Sequence, residues 1–276
     1  KPESIYTDYV LAYDENGLPT GMKSLTCSTG AVADDPFTVT TTHVGTTTLK
    51  YNVTAKDASV KYCTFATGYD YYQRWQLEEG TNGDVIKHFI SMWSTFASWY
   101  GENWQTMMKY DRREGTYEGD GYHLMWDARQ VVITFGMDDD GNLVTPIQVD
   151  SIHTNAPTPV DMDIPVTVLS NEWGDQQIKA APTTNTPYFI TMQPAAYVDL
   201  YKTDAALLRA LCYEADNINP TDLARTRDED LRDGLWEFRV RKDVDTDYYI
   251  IAVGLDEGAP ATRAFKTKIT VPGGSF

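Results

Sequence analysis

Cysteine is scarce in this chain, which has three among its 276 residues. Cys27, Cys63 and Cys212 cannot all pair with one another, and none stands in a C-x-x-C spacing. A disulfide framework needs an even set of cysteines, and a structural zinc site needs clustered ligands. The sequence therefore argues against both, and we interpret the three cysteines as small buried apolar residues.

Positive charge is also in short supply. Lys and Arg together number 23 against 40 Asp and Glu, which gives a formal net charge of −17. A field of that sign repels a phosphate backbone and disfavours contact with an anionic membrane surface. We therefore expect no nucleic-acid partner and no direct contact with an anionic membrane surface.

Long hydrophobic runs are missing. No stretch approaches the roughly 18 consecutive apolar residues that a membrane span requires. The chain shows no signal peptide and opens on Lys1 rather than Met. We therefore expect a processed or truncated product, from which a targeting segment has been removed.

Catalytic signatures are missing as well. The chain has no nucleophile elbow, no paired-histidine zinc motif, no P-loop and no dinucleotide-binding glycine pattern. Its histidines, His43, His88, His123 and His153, are far apart and share no motif. His88, in a predicted helix, is interpreted as a surface or boundary residue. We therefore expect no enzyme and no cofactor.

One hairpin pattern is present three times. An aromatic and β-branched run leads to an acidic turn that ends in glycine, then to a second strand and a closing threonine, over residues 7–29, 129–154 and 246–270. The turn glycines, Gly17, Gly141 and Gly258, are 124 and 117 residues apart. A period of this size fits one sandwich domain with an insertion, and it is too long for a solenoid repeat.

Short alternating segments follow the first two hairpins and predict strands. They span residues 36–43, 46–57 and 59–66, and then 164–170, 175–184 and 187–193. Three strands, a long middle and a closing hairpin match the strand order A-B-C…F-G of a small sandwich. We therefore predict domains at residues 34–155 and 156–276, joined by an extended connector over 155–165. Residues 1–33 are predicted to be the last hairpin of a preceding repeat.

The long middles of the two repeats are predicted to be helical. Asp84 is a candidate N-cap for a helix over residues 85–100, which Gly101 ends. Thr203 or Asp204 caps a second helix over residues 205–217, and a short third helix is predicted over 221–232. Helices with an apolar stripe bury it against a sandwich face or edge.

The F–G hairpins carry a family resemblance. Thr246-Asp247-Tyr248 opens the strand of the third copy and Thr7-Asp8-Tyr9 that of the first, whereas residues 127–130 lack the usual Thr and Tyr. The pattern resembles the F–G region of fibronectin type III-like domains. With long helical insertions, it resembles repeats of cell-surface lipoproteins of gut-type Bacteroidetes. The resemblance implies a mainly β fold of two tandem immunoglobulin- or fibronectin type III-like β-sandwich domains with helical insertions. It also implies a secreted, lipid-anchored surface protein with a role in adhesion or glycan capture.

Aromatic residues form the main candidate site, in the first repeat. Aromatic faces stack on sugar rings and anchor protein interfaces. The candidate ligand-binding residues are predicted to fall in loops: Tyr71, Tyr72, Trp75 and Trp104. A core interpretation is preferred for Trp93 and Trp99, which fall at helical spacing with Phe89 and Phe96.

An acidic turn offers a minor metal option. Asp138, Asp140 and Asn142 could supply alternate oxygen ligands to calcium. A calcium loop also needs a glycine at its sixth position and a distal glutamate, which are not in place here. We therefore favour a plain hairpin turn, in which Gly141 supplies the positive φ.

These observations favour a non-catalytic extracellular protein that binds a glycan or a surface protein. Two alternatives stay open. One is a glycan-degrading enzyme or its accessory subunit, which would need two close carboxylates in one cleft. The other is a structural spacer or fibre-assembly subunit that donates strands between chains.

Overall fold

The structure, a computed structural model, describes residues 5–13, 19–28, 35–77, 85–214, 219–228 and 234–274. Strands β1 (Ile5–Tyr13) and β2 (Pro19–Ser28) form an antiparallel hairpin, as predicted for the first copy. Within the described residues these two strands form a sheet of their own. The origin of this hairpin as the end of a preceding repeat stays a prediction.

The first sandwich contains two antiparallel sheets, β3-β4-β6 and β5-β7-β8. In the lettering of immunoglobulin-like sandwiches, these are the A-B-E and C-F-G sheets. Three helices lie between strands C and E. The elements in chain order are β3 (Phe37–Val44), β4 (Leu49–Ala55), β5 (Tyr62–Gly68), α1 (Tyr69–Leu77), α2 (Val85–Tyr100), α3 (Trp104–Asp111), β6 (Thr116–Gly121), β7 (Arg129–Gly136) and β8 (Gln148–His153).

The second sandwich repeats this topology with the sheets β9-β10-β12 and β11-β13-β15, while the short β14 pairs with the end of β13. Its elements are β9 (Val166–Glu172), β10 (Asp175–Ala180), β11 (Tyr188–Pro194), α4 (Ala195–Val198), α5 (Asp204–Arg209), a π-helical turn (Ala210–Glu214), α6 (Pro220–Leu223), β12 (Leu235–Phe238), β13 (Thr246–Asp256), β14 (Ala259–Pro260) and β15 (Phe265–Val271). The predicted fold class is therefore confirmed: two tandem sandwiches, mainly β, with helical insertions. The domain limits at 34–155 and 156–276 stay predictions.

Two strands were absent from the prediction, β6 and β12. They are the E strands, and each pairs with the B strand of its own sandwich. The sequence of β6 contains Asp and two glycines, which strands disfavour. Gly119 is needed there because the ring of Tyr51 on the neighbouring strand occupies the space that a Cβ would take. Tertiary packing thus overrides weak strand propensity.

Strand β7 is buried on both faces. On one face, Val132 packs with Tyr62 and the A-B-E sheet. On the other, Val131, Ile133 and Phe135 pack with the helices of the insertion. The first sandwich therefore has three layers, and the prediction that the inserted helices pack on a sandwich face is confirmed.

Helix α2 covers the predicted span, and Gly101, with φ +69°, ends it. Its candidate N-cap, Asp84, lies outside the described residues. The buried row follows a four-residue step along the helix through Val85, Phe89, Trp93 and Ala97. The core prediction is confirmed for Trp93 and is wrong for Trp99, which lies with Phe96 on the exposed flank beside the buried row.

The second insertion differs from its prediction in two ways. Thr203 caps α5 as predicted, since its Oγ1 accepts from the backbone N of Ala206 at 3.2 Å, but the helix continues as a π-helical turn. The predicted helix over 221–232 is wrong for residues 224–228, because α6 ends at Leu223. The backbone of Arg225 instead bridges Tyr188 with two hydrogen bonds of 2.9 and 2.8 Å. Residues 215–218 and 229–233 lie outside the described part.

In the second hairpin copy, Gln130 takes the structural place of the usual tyrosine. Sandwiches of this type place a tyrosine near the start of strand F, and its hydroxyl bonds to the backbone a few residues upstream. Here the buried Gln130 donates from Nε2 to the carbonyl of Met125 at 2.8 Å. An amide therefore makes the corner bond that the phenol makes elsewhere.

The two sandwiches contact one another directly. The loop between β3 and β4 meets the turn between β13 and β14, where Thr46 and Thr47 donate from Oγ1 to the carbonyl of Glu257 at 2.9 and 2.8 Å. The predicted connector has no regular structure, but Met162 and Ile164 within it are buried in the second core. The connector is therefore anchored along its length.

Two tryptophans of α2 test the layered packing. Trp93 is buried and donates from Nε1 to Asp111 at 2.7 Å, whereas Trp99 is 68% exposed. We predict that Trp93→Ala lowers the free energy of unfolding by about 3–5 kcal/mol. Trp99→Ala is expected to change it by less than about 0.5 kcal/mol. Urea unfolding followed by circular dichroism measures both, and similar losses for the two variants would contradict the observed face of α2.

Candidate functional site

A row of aromatic rings crosses the helical layer of the first sandwich. Trp75 stacks on His88 with ring centroids 4.1 Å apart and meets the edge of Phe89 at 5.6 Å. Phe89 continues to Trp93 at 6.0 Å, and Trp93 stacks on Trp104 at 6.2 Å. The middle of the row is buried and its ends are half-buried. Trp75 and Trp104 thus close the two ends of a packed core.

The predicted loop positions of the four candidate residues are wrong. Tyr71, Tyr72 and Trp75 lie in α1, and Trp104 begins α3, where Asn103 accepts from the backbone N of Thr106 at 2.9 Å. Tyrosine is a weak helix former, so the sequence of α1 gave little helical signal. The helix forms because residues 69, 72 and 75 fall on one face and pack against the aromatic row.

The structure separates Tyr71 from the other three candidates. Tyr72, Trp75 and Trp104 all pack against the same core cluster. Tyr71 instead meets the ring of Tyr213 in the second insertion, with centroids 5.6 Å apart. It therefore belongs to the contact between the sandwiches.

The exposed rings of α2 were not among the candidates. Phe96, Trp99 and Tyr100, which we call the α2 aromatic patch, are 41%, 68% and 73% exposed. The rings of Phe96 and Trp99 meet edge to face at 5.2 Å. The apolar sector of α2 is wider than one sheet face can cover, and this excess was the signal in the sequence that pointed to a second surface.

The acidic turn adopts the predicted turn geometry. The Oδ1 atom of Asp138 accepts from the backbone N of Asp140 at 3.0 Å and of Asn142 at 2.8 Å. The Asn142 amide and these backbone donors hold the pKa of Asp138 below its usual range. Gly141 has φ +90°, as the turn requires, and Asp139 pairs with Arg112. Among the residues that the structure describes, no group of three or more potential metal ligands occurs.

The buried thiols are suited to packing rather than to nucleophilic chemistry. Cys63 and Cys212 are both buried, which confirms that prediction for these two. Burial raises the pKa of each thiol to about 12, so the thiolate is not formed at neutral pH. The side chain of Cys27 lies outside the described residues.

Asp150 belongs to a hydrogen-bonded link between β3 and β8, the first and last strands of the first sandwich. Gln148 accepts the backbone N–H of Phe37 on its Oε1 at 3.1 Å and donates from Nε2 to Asp150 Oδ2 at 2.9 Å. Burial, and then the negative charge of Asp35, raise the pKa of Asp150. This carboxylate is therefore held at the strand edge at a cost to folding.

The A-B-E and C-F-G sheets of both units define the fold class: tandem fibronectin type III-like β-sandwiches. No family model matches the chain, and no curated protein matches it. Among solved structures it is similar to the crystal structure of chicken CNTN1 FN1–FN3 domains, at 11% identity and a TM-score of 0.28, over 98% of this chain and 78% of that one. The fold assignment depends on the strand order and sheet pairing of the two sandwiches. None of the helices in the described ranges is long and apolar enough to cross a bilayer.

We predict that Asp150→Asn stabilises the protein at neutral pH. The folded-state pKa of Asp150 is raised, so the folded protein binds this proton more tightly than the unfolded chain does. Stability from this group therefore increases as the pH falls through the folded-state pKa, and the charged form costs stability above it. Thermal unfolding should show a higher Tm for Asp150→Asn at pH 7 and a shrinking difference towards pH 4, near the unfolded pKa of about 3.9.

Asp35→Asn serves as the matched control for this prediction. It removes the neighbouring charge but keeps the buried carboxylate, so its gain in Tm should be the smaller of the two. A Tm of Asp150→Asn equal to or below that of the wild type at pH 7 would show that the carboxylate is not destabilising.

Proposed function

We propose that this chain is a non-catalytic binding or adhesion protein of the extracellular surface, and that the first helical insertion presents its ligand surface. The observation that carries the proposal is the α2 aromatic patch. The resemblance of the F–G hairpins to those of surface lipoproteins supports an extracellular, lipid-anchored location. A net charge of −17 favours glycan or protein partners over nucleic acid.

The exposure of the patch supports a binding role. A pair of large rings in solvent contributes little to folding, and contiguous exposed apolar surface typically marks an interaction site. Because Phe96 and Trp99 are on a regular helix rather than a loop, their rings are presented on a rigid support. The half-buried rings of Tyr72, Trp75 and Trp104 border the same layer and would extend the surface.

Ring geometry favours a glycan as the ligand. A flat indole face stacks on a sugar ring, and Trp99, which is 68% exposed, offers such a face to solvent. The same rings would also serve as anchors in a protein interface. The glycan is therefore the first choice to test, and a surface protein is the second.

The enzyme alternative receives less support from the acidic turn. Asp138 and Asp139 line an open cavity beside Lys61 and Arg112. A general acid needs a raised pKa, but hydrogen bonds lower the pKa of Asp138 and the Arg112 partner lowers that of Asp139.

Glycan-array binding tests the proposal. We predict that the wild type binds and that Phe96→Ala with Trp99→Ala weakens binding about tenfold or more, because hot-spot rings carry most of an interface energy. The control is Leu200→Ala, which removes an exposed apolar side chain of the second insertion. Binding that survives the double substitution would exclude the α2 aromatic patch as the site. Trp75→Phe and Trp104→Phe then test the border of the surface with the packing kept.

Strand donation is favoured by one observation, the separate β1–β2 sheet. A lone two-stranded hairpin is marginally stable in water, and its edges are templates for another strand. If copies of the chain pair through this hairpin, the mass measured by light scattering should increase with concentration. Met22→Lys, at an exposed position of β2, should abolish the increase. A wild-type chain that stays monomeric at all concentrations would contradict this function.

A further inference from the structure

A cavity of about 490 Å³ lies between the two sandwiches. Three separate segments form its walls: the loop between β6 and β7, helix α5, and the segment between β14 and β15. The side chains that matter here are Met125, Trp126, Asp204, Arg209, Thr262 and Arg263. Both the volume and the position between domains are typical of small-molecule sites.

The loop that presents Trp126 to this cavity is strained. His123 and Asp127, with φ values of 55° and 46°, are non-glycine residues in the left-handed region, one on each side of Leu124–Met125–Trp126. The carbonyl of Met125 accepts from Thr154 Oγ1 at 2.6 Å and from Gln130 Nε2 at 2.8 Å. Such strain persists only where the surroundings enforce it, and it concentrates at ligand-binding sites.

The two arginines of the cavity differ in how closely they are already paired with carboxylates. Arg209 pairs with Asp70 at 2.9 Å and with Glu214 at 2.8 Å. In contrast, the Arg263 side chain is 72% exposed, and its ion pair with Asp163 is long, at 3.8 Å. In a chain of net charge −17, the Arg263 guanidinium is therefore the cation of this cavity that is best able to bind an added anion.

We propose that this cavity binds a sugar ring that carries a carboxylate. The ring lies against the half-buried indole of Trp126, and the carboxylate pairs with the planar fork of Arg263. Asp204, which already accepts from Lys266 at 2.8 Å and from the backbone N of Ala264 at 3.3 Å, has lone pairs left for a sugar hydroxyl. This site is separate from the α2 aromatic patch and does not depend on it.

Isothermal titration with digalacturonate tests the proposal. The wild type should bind it saturably in the millimolar range or tighter. Arg263→Ala should weaken binding about tenfold or more, because it removes charge-assisted hydrogen bonds. Arg239→Ala makes the same chemical change at an exposed residue after β12, in the opposite sheet, and should leave binding unchanged.

Three further measurements sharpen the test. Trp126 also packs against the second core, so Trp126→Leu is compared in binding and in thermal unfolding, and binding should fall while the protein stays folded. If Trp126→Leu unfolds the chain, Arg263→Ala alone decides. A neutral disaccharide of the same ring geometry and acetate should each bind at least tenfold more weakly than digalacturonate, roughly the effect of the lost contacts. The double variant Phe96→Ala with Trp99→Ala should bind digalacturonate like the wild type, which separates this site from the proposed patch.

Four results would overturn the proposal: no saturable binding of digalacturonate, equal binding of the neutral disaccharide, equal binding of acetate, or unchanged binding by Arg263→Ala.

Discussion

The F strands of both sandwiches, β7 and β13, are buried on both faces over most of their length. A strand with one face in water would alternate between apolar and polar residues, but β7 and β13 contain consecutive apolar residues, over 131–133 and 248–253. Leaving the outer face in water would cost about 25 cal/mol for every Å² of apolar surface. In each sandwich the connection between strands C and E supplies the missing cover as helices. The A-B-E sheets carry no such demand: most of β3 is exposed, and β9 alternates between half-buried and exposed positions over its first five residues.

The two insertions cover the outer faces of the F strands with different kinds of residue. The second insertion covers β13 with the aliphatic side chains of Leu207, Leu208 and Leu211. The first uses the aromatic row, and its longest helix carries more apolar surface than β7 can cover. The apolar surface of α2 that β7 does not cover includes the edge-to-face pair of Phe96 and Trp99. Packing against β7 therefore accounts for the buried half of α2 and does not account for its exposed half.

Most of the fold could be predicted from the sequence, but little of the candidate surface could. Hairpins, A-B-C strands and α2 could be predicted because alternation, turn glycines and helical spacing are local signals. Strand β6 and helix α1 could not be predicted, because tertiary packing overrides their weak local propensities. Gly119 in β6 lies under the ring of Tyr51, and α1 is rich in tyrosine. The exposure of Trp99 depends on how much of the surface of α2 the sheet covers. The periodicity of the sequence alone does not give the extent of that cover.

The strained loop at residues 123–127 connects the packing of the sandwiches to the cavity between them. Leu124 donates its backbone N–H to Thr47 at 2.9 Å, and the His123 ring is 2.9 Å from the carbonyl of Cys212 in the second insertion. Thr47 in turn contacts Glu257 in the second sandwich. The same contacts that orient one sandwich on the other therefore also hold the backbone around Trp126 in its left-handed turns. The shape of the cavity beside Trp126 therefore depends on the contacts between the two sandwiches.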